Sequence, residues 1–126
     1  MIDTWKEGAK TYLGLQVNNF PNLFFITGPG SPSVLTNMPQ SIDQNVTWIT
    51  DCIKFMKKNK YSIIEASQSA VDQWTDHVQN TVEKTLFVKA NHSWYYGSNI
   101  PGKPRLFLPY SGGLKKYRMI CNKVAK

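Results

Sequence analysis

The run Gly28-Pro29-Gly30-Ser31-Pro32-Ser33 is one place where the backbone of this chain could do chemistry. A strand-to-helix turn of that composition directs N–H groups out of a sheet edge, where they can stabilise partial negative charge on a planar heterocycle. The run has the outline of the dinucleotide fingerprint, but Ser33 stands where the third glycine belongs. A tight turn with no ligand accounts for the same residues. A second place is Ser93-Trp94-Tyr95-Tyr96-Gly97, where large amphipathic rings lie among glycines and prolines without a packing period. Such rings offer a stacking surface and a hydrogen-bond donor together, and core packing and ligand contact both explain them. With Lys103 and Arg105 they could also stack single-stranded nucleic acid, yet no OB or RRM signature accompanies them.

Other reactive types lack a constellation. His77 and His92 have no nucleophile at a recognisable spacing, and Ser31 is not in a G-x-S-x-G elbow, which argues against a hydrolase triad. His77 is expected on the exposed side of a helix. Asp43, Asp51, Asp72 and Asp76 fall on predicted helices, where solvated faces explain them better than paired acid and base roles. Cys52 and Cys121 form no C-x-x-C pair and stand beside no His at metal-ligand spacing, so no metal is expected and a reduced, cytoplasmic setting fits.

The elements that must position these groups are legible in part. Asn22 to Thr27 is a short apolar run between a Phe-Pro-Asn turn and Gly28, the pattern of a central parallel strand buried on both faces. Ile42, Val46, Ile49, Ile53 and Met56 recur at steps of four, three, four and three, so one helical face is continuously apolar, and Pro39 suits that helix's first turn. Strand, Gly-rich turn and helix in that order predict an α/β layered fold, in which ligands bind at the carboxyl ends of strands. A second helix is predicted through Val71, Trp74, Val78 and Val82, with Ser67 or Ser69 as N-cap. Tyr61 to Ile64 reads as a linker or short strand. A long ordered or mobile loop runs from Ala90 to Gly113, and loops of this length are usually functional. Leu114, Tyr117, Cys121 and Val124 share one face of a closing helix.

Composition narrows the class further. The 126 residues suit one domain or part of one, and 41% hydrophobic with 18% charged residues places the chain among globular proteins. A net charge of +7 suits an acidic partner such as nucleic acid or a phosphate-bearing cofactor. The basic residues fall at Lys57, Lys58 and Lys60, at Lys103 and Arg105, and at Lys115, Lys116 and Arg118, where solvated surface or a helix C-terminus is the plainer explanation. The N-terminus has no secretory pattern, no apolar run is long enough to span a membrane, and the sequons at Asn45 and Asn91 are read as coincidental.

Several blocks together carry a more specific signal. Tyr12-Leu13-Gly14, Phe20-Pro21-Asn22-Leu23-Phe24, Gly28 to Ser33, Asn37-Met38, Trp48, Ser93-Trp94-Tyr95, Gly97, Asn99, Pro101-Gly102-Lys103-Pro104-Arg105 and Pro109-Tyr110-Ser111-Gly112-Gly113 stand in this order. From about Trp5 onward the chain resembles the C-terminal third of the Baeyer–Villiger monooxygenases, the cyclohexanone and phenylacetone monooxygenase group of flavin enzymes. That resemblance implies the C-terminal part of a Rossmann-like fold binding FAD and NAD(P). It divides the chain into a last FAD-domain strand and helix over 1–60, a linker and helix over 61–89, and a covering loop with closing helix over 90–126.

In that family, flavin and O₂ insert an oxygen into a ketone to give an ester or lactone, or oxygenate a sulfide, with NADPH supplying the hydride. Cofactors carry such chemistry while protein groups orient them and exclude water. The resemblance implies that Asn37 and Met38 lie against the flavin, that Ser33, Val34 and Leu35 form a substrate-side bulge, and that Trp94 sits on the loop closing over NADP. The family's two nucleotide fingerprints, its F-x-G-x-x-x-H-x-x-x-W-P signature and its catalytic arginine are not in this sequence. The isolated chain is therefore expected to bind no cofactor and to be inactive, needing the N-terminal portion of the same enzyme as partner, with no nucleic acid and no membrane involved. A non-catalytic remnant or small interaction domain that binds no cofactor is the alternative.

Overall fold

A computed structural model of the chain describes residues 3, 5–6, 8–32, 37–84 and 109–125. Within them lie three helices, α1 (Met38–Lys58), α2 (Gln68–Val82) and α3 (Leu114–Val124). The first two begin where local chemistry allows. Asn37 caps α1 in an extended conformation, its side chain accepting the Gln40 N–H at 3.3 Å, and Pro39 occupies the first turn. Lys57 and Lys58 close α1, where cations complement the carbonyl end. Ser67 caps α2 by accepting the Ala70 N–H at 3.2 Å.

α2 buries the stripe its periodicity predicts: Val71, Trp74, Val78 and Val82 are all buried. α3 does so for Tyr117 and Cys121, with Leu114 half-buried, while Val124 is exposed. α1 is different. Its buried residues are Ser41, Gln44 and Asn45, with Trp48 and Ile49 packed beside the core. The apolar positions Ile42, Val46 and Ile53 are 40%, 42% and 40% exposed. At 3.6 residues per turn this stripe lies about a third of a turn away from the face that the rest of the chain covers.

The predicted strand over 22–27 is not formed among the described residues, which contain only an isolated antiparallel bridge between Tyr12 and Gln16. Positive φ at Asn22 and Thr27 ends extension on both sides. The segment's N–H groups go to scattered acceptors rather than a ladder: Asn22 to Ile64 O (2.9 Å), Phe25 to Leu15 O (2.8 Å) and Thr27 to Asn45 Oδ1 (2.9 Å). Ile26 is 49% exposed, so the two-sided burial of a central strand is absent. Residues 61–64 form a linker rather than a strand. It is held by Asn22, whose side chain accepts from the Ile64 N–H and donates to Ser62 O. The α/β sheet of the expected Rossmann-like fold thus has no counterpart in the described residues, because a strand needs neighbouring strands to satisfy its backbone.

The core gathers Leu13, Leu15, Trp74, Val78, Tyr110, Tyr117 and Cys121, with Tyr12, Trp48, Ile49, Leu114 and Ile120 against it. Tyr117 ties its parts together. Its hydroxyl donates to Leu13 O at 2.6 Å and accepts from Asn45 Nδ2 at 3.2 Å, joining α3 to the N-terminal segment and to α1.

Candidate functional site

The Gly28–Ser31 turn is fixed through three successive carbonyls. Pro29 O accepts from the Thr11 hydroxyl, Gly30 O from the Trp74 indole at 3.2 Å, and Ser31 O from the Tyr110 N–H at 2.6 Å. Each donor comes from a different part of the chain. Gly30 adopts φ +87°, which side-chain-bearing residues rarely adopt, and a Cβ there would stand 2.9 Å from Trp74 Nε1. Gly14 passes so close that a Cβ on it would meet Ser31 Cβ at 2.6 Å. The turn's N–H groups were expected to face outward. The Ser31 N–H instead closes the turn internally on Gly28 O at 3.0 Å.

The turn leads into residues 33–36, so Ser33, Val34 and Leu35 lie outside the described residues, as does Trp94. Asn37 and Met38, expected against a flavin, sit together as the N-cap and first residue of α1, exposed and half-buried respectively. The Met38 N–H has no intrahelical acceptor at that position, and the helix start carries partial positive charge.

His77 is not on a free face. Its ring lies 5.3 Å from Trp74 and 5.7 Å from Tyr110, centroid to centroid, and its Nε2 is 3.4 Å from the Tyr110 hydroxyl. Burial, then the positive charge of Lys116 and Lys84, holds it below the ordinary imidazole value. Trp74 and Tyr110 were legible only as apolar or motif residues. The available signal was their polar handles, since a buried Trp N–H or Tyr O–H seeks a partner.

Neither thiol is activated by its surroundings. Burial raises Cys52, and burial pushes Cys121 up to about 11, so both are protonated at neutral pH. Burial also raises Tyr110 and, much further, Tyr117. Asp43, Asp51, Asp72 and Asp76 are exposed, in line with solvated faces. Among the described residues no group of three His, Cys, Asp or Glu is placed to hold a metal ion, and no helix is long and apolar enough to cross a membrane.

Known proteins resolve what this arrangement belongs to. Over 118 residues, 94% of the chain, it is 48% identical to cyclohexanone 1,2-monooxygenase of Acinetobacter sp., and over a stretch of the same length 42% identical to a Baeyer–Villiger monooxygenase of Pseudooceanicola batsensis. The chain is homologous to the C-terminal portion of the Baeyer–Villiger monooxygenases. The fold agrees with that family. Cyclohexanone monooxygenase from Rhodococcus sp. Phi1, solved with NADP⁺, superposes at TM-score 0.91 with 37% identity over 98% of this chain and 23% of its own. A steroid monooxygenase solved with NADP gives 0.88 with 40% identity over 98% of this chain and 22% of its own. No family model matches the chain. The chain spans about a fifth of the length of the curated Baeyer–Villiger relatives it matches, 21% in each of the two above.

Proposed function

We propose that this chain is the C-terminal portion of an NADPH- and FAD-dependent monooxygenase that inserts one oxygen of O₂ into ketones or oxygenates sulfides. It works only when joined to the N-terminal portion of that enzyme. The observation that carries this reading is the orientation of α1, whose polar face Ser41–Gln44–Asn45 is buried in the chain's own core while Ile42, Val46 and Ile53 face solvent. An apolar stripe on a helix otherwise committed to packing calls for a second layer. The relatives are several times longer than this chain and have the protein to supply it.

The residues present fit a flavin along one edge only. The start of α1, with Asn37 as cap and the Met38 N–H free of intrahelical partners, suits the partly negative edge of a heterocycle. The phosphate-binding fingerprints are not in this sequence. When bound, the flavin supplies the activated oxygen and NADPH the reducing hydride. The chain's own share is to orient and to exclude water: Asn37 and Met38 against the flavin, Ser33, Val34 and Leu35 beside the substrate, and Trp94 over NADP. The division at 1–60, 61–89 and 90–126 follows the same reading. The free Cys52 and Cys121 suit the reducing cytoplasm.

The test is complementation. The chain alone should be colourless, should form no lactone from cyclohexanone, and should self-associate through its uncovered apolar surface. Adding an N-terminal portion from a Baeyer–Villiger relative should give a yellow complex that oxidises NADPH and forms lactone. Ile42→Glu with Ile53→Glu should make the chain monodisperse and abolish complementation. A soluble complex that retains no flavin would favour the non-catalytic remnant, and a chain that keeps stoichiometric flavin alone would overturn the shared-site reading.

A further inference from the structure

Trp74 makes two connections that tie the Gly28–Ser31 turn to the Tyr110 segment. Its indole N–H donates to Gly30 O at 3.2 Å, and its ring lies 5.2 Å from the Tyr110 ring at an interplanar angle of 35°. The Tyr110 N–H in turn donates to Ser31 O at 2.6 Å, the carbonyl next in sequence to the one Trp74 holds. Gly30, Ser31, Tyr110 and Trp74 thus form a closed circuit of two hydrogen bonds and one ring contact. His77, one helical turn after Trp74, packs on both rings and closes a third side. Trp74 and His77 stand on α2, which is capped by Ser67 and buried along Val71, Val78 and Val82. The fit is specific to the side chains present, because Gly30 allows the indole nitrogen closer than a Cβ would permit.

We propose that Trp74 is a positioning residue for the monooxygenase reaction. By holding the Gly30 carbonyl and the Tyr110 ring at once, it sets the placement of the turn that leads toward Ser33, Val34 and Leu35 relative to the Pro109–Tyr110 segment. This rests on the reading that those three residues face substrate. Trp74 touches no reacting atom. It acts through the backbone of the turn, so its loss loosens substrate placement rather than abolishing the chemistry.

Trp74→Phe keeps a ring against Tyr110 and removes only the N–H. Val78→Ala, a cavity on the same buried face of α2, serves as the control for plain destabilisation. Two measurements separate the alternatives. In the chain alone, hydrogen exchange on peptides covering Gly28–Pro32 and Pro109–Gly113 should quicken by about fivefold in Trp74→Phe, the equivalent of one neutral hydrogen bond, and less in Val78→Ala. In the complex with the N-terminal portion, Trp74→Phe should raise KM for a ketone by about fivefold with kcat within about twofold and flavin content unchanged, a split that Val78→Ala should not show. Unchanged exchange in Trp74→Phe would overturn the clasp, and faster exchange with an unchanged KM would overturn its positioning role. If the unsubstituted complex forms no product, the monooxygenase reading falls and the positioning role with it, while the exchange arm still decides whether the clasp exists.

Discussion

Tyr117→Phe removes one oxygen atom from the centre of the chain and tests how α1, α3 and the N-terminal segment are joined. The ring is fully buried, its hydroxyl donates to Leu13 O at 2.6 Å, and it accepts from Asn45 Nδ2 at 3.2 Å. Phe fills nearly the same volume, so no cavity term of consequence arises and the change reports hydrogen bonding. Asn45 keeps a partner in Gln44 Oε1 at 2.7 Å, whereas the buried Leu13 carbonyl loses the Tyr117 donor. A lost neutral bond costs about 1 kcal/mol, and a stranded buried carbonyl adds roughly 1–2 kcal/mol, giving a loss of about 2–3 kcal/mol. For a chain of this length that is roughly 10 °C in Tm. Burial raises the Tyr117 phenol far above its ordinary value, so the donor is present at every workable pH and the loss should not vary with pH. The assay is urea unfolding by Trp fluorescence at two low protein concentrations, with the slope unchanged. Asn45→Ala and the double variant complete a cycle whose coupling should be about 1 kcal/mol. A loss under about 0.5 kcal/mol, the range of ordinary surface changes, would refute the claim that this hydroxyl joins α1, α3 and the N-terminal segment.

Two other outcomes are expected. His77 lies below the ordinary 6.5 because burial, then Lys116 and Lys84, disfavours its charged form. The folded state therefore binds fewer protons than the unfolded one, so His77's contribution is present above about pH 6.5 and is lost as pH falls toward its folded value. Unfolding curves between about pH 7 and pH 5 should show this slope, and His77→Gln should flatten it; an unchanged slope would show that other groups cause it. In the complemented enzyme, Trp94→Ala should lower ketone oxygenation by about tenfold, equivalent to about 1.4 kcal/mol of transition-state stabilisation, with flavin content unchanged. A large drop in Tm would tell against its covering role, and an unchanged rate would remove it.

Local chemistry sufficed where the determining residues are close in sequence. Ser67 as cap and Val71, Trp74, Val78 and Val82 as buried stripe are set by hydrogen bonding and periodicity within a few residues, and α2 follows them. Pro39 in the first turn of α1 was legible for the same reason, while the cap at Asn37 was not read from the sequence. The ordered blocks from Tyr12 to Gly113 pointed to the family, because a resemblance accumulates over the whole chain and needs no coordinates. What neighbours supply was not legible. Periodicity marks Ile42, Val46 and Ile53 as apolar, but which face of α1 is covered depends on where α3 and the N-terminal segment pack, and they chose Ser41, Gln44 and Asn45. An apolar run at 22–27 reads as a strand from composition, yet a strand exists only through partners that the described residues do not provide. His77 met Tyr110 across 33 positions of sequence, and Trp74 met Gly30 across 44. No local pattern encodes such meetings, because they depend on how packed helices and turns close in space, and tertiary structure alone decided them.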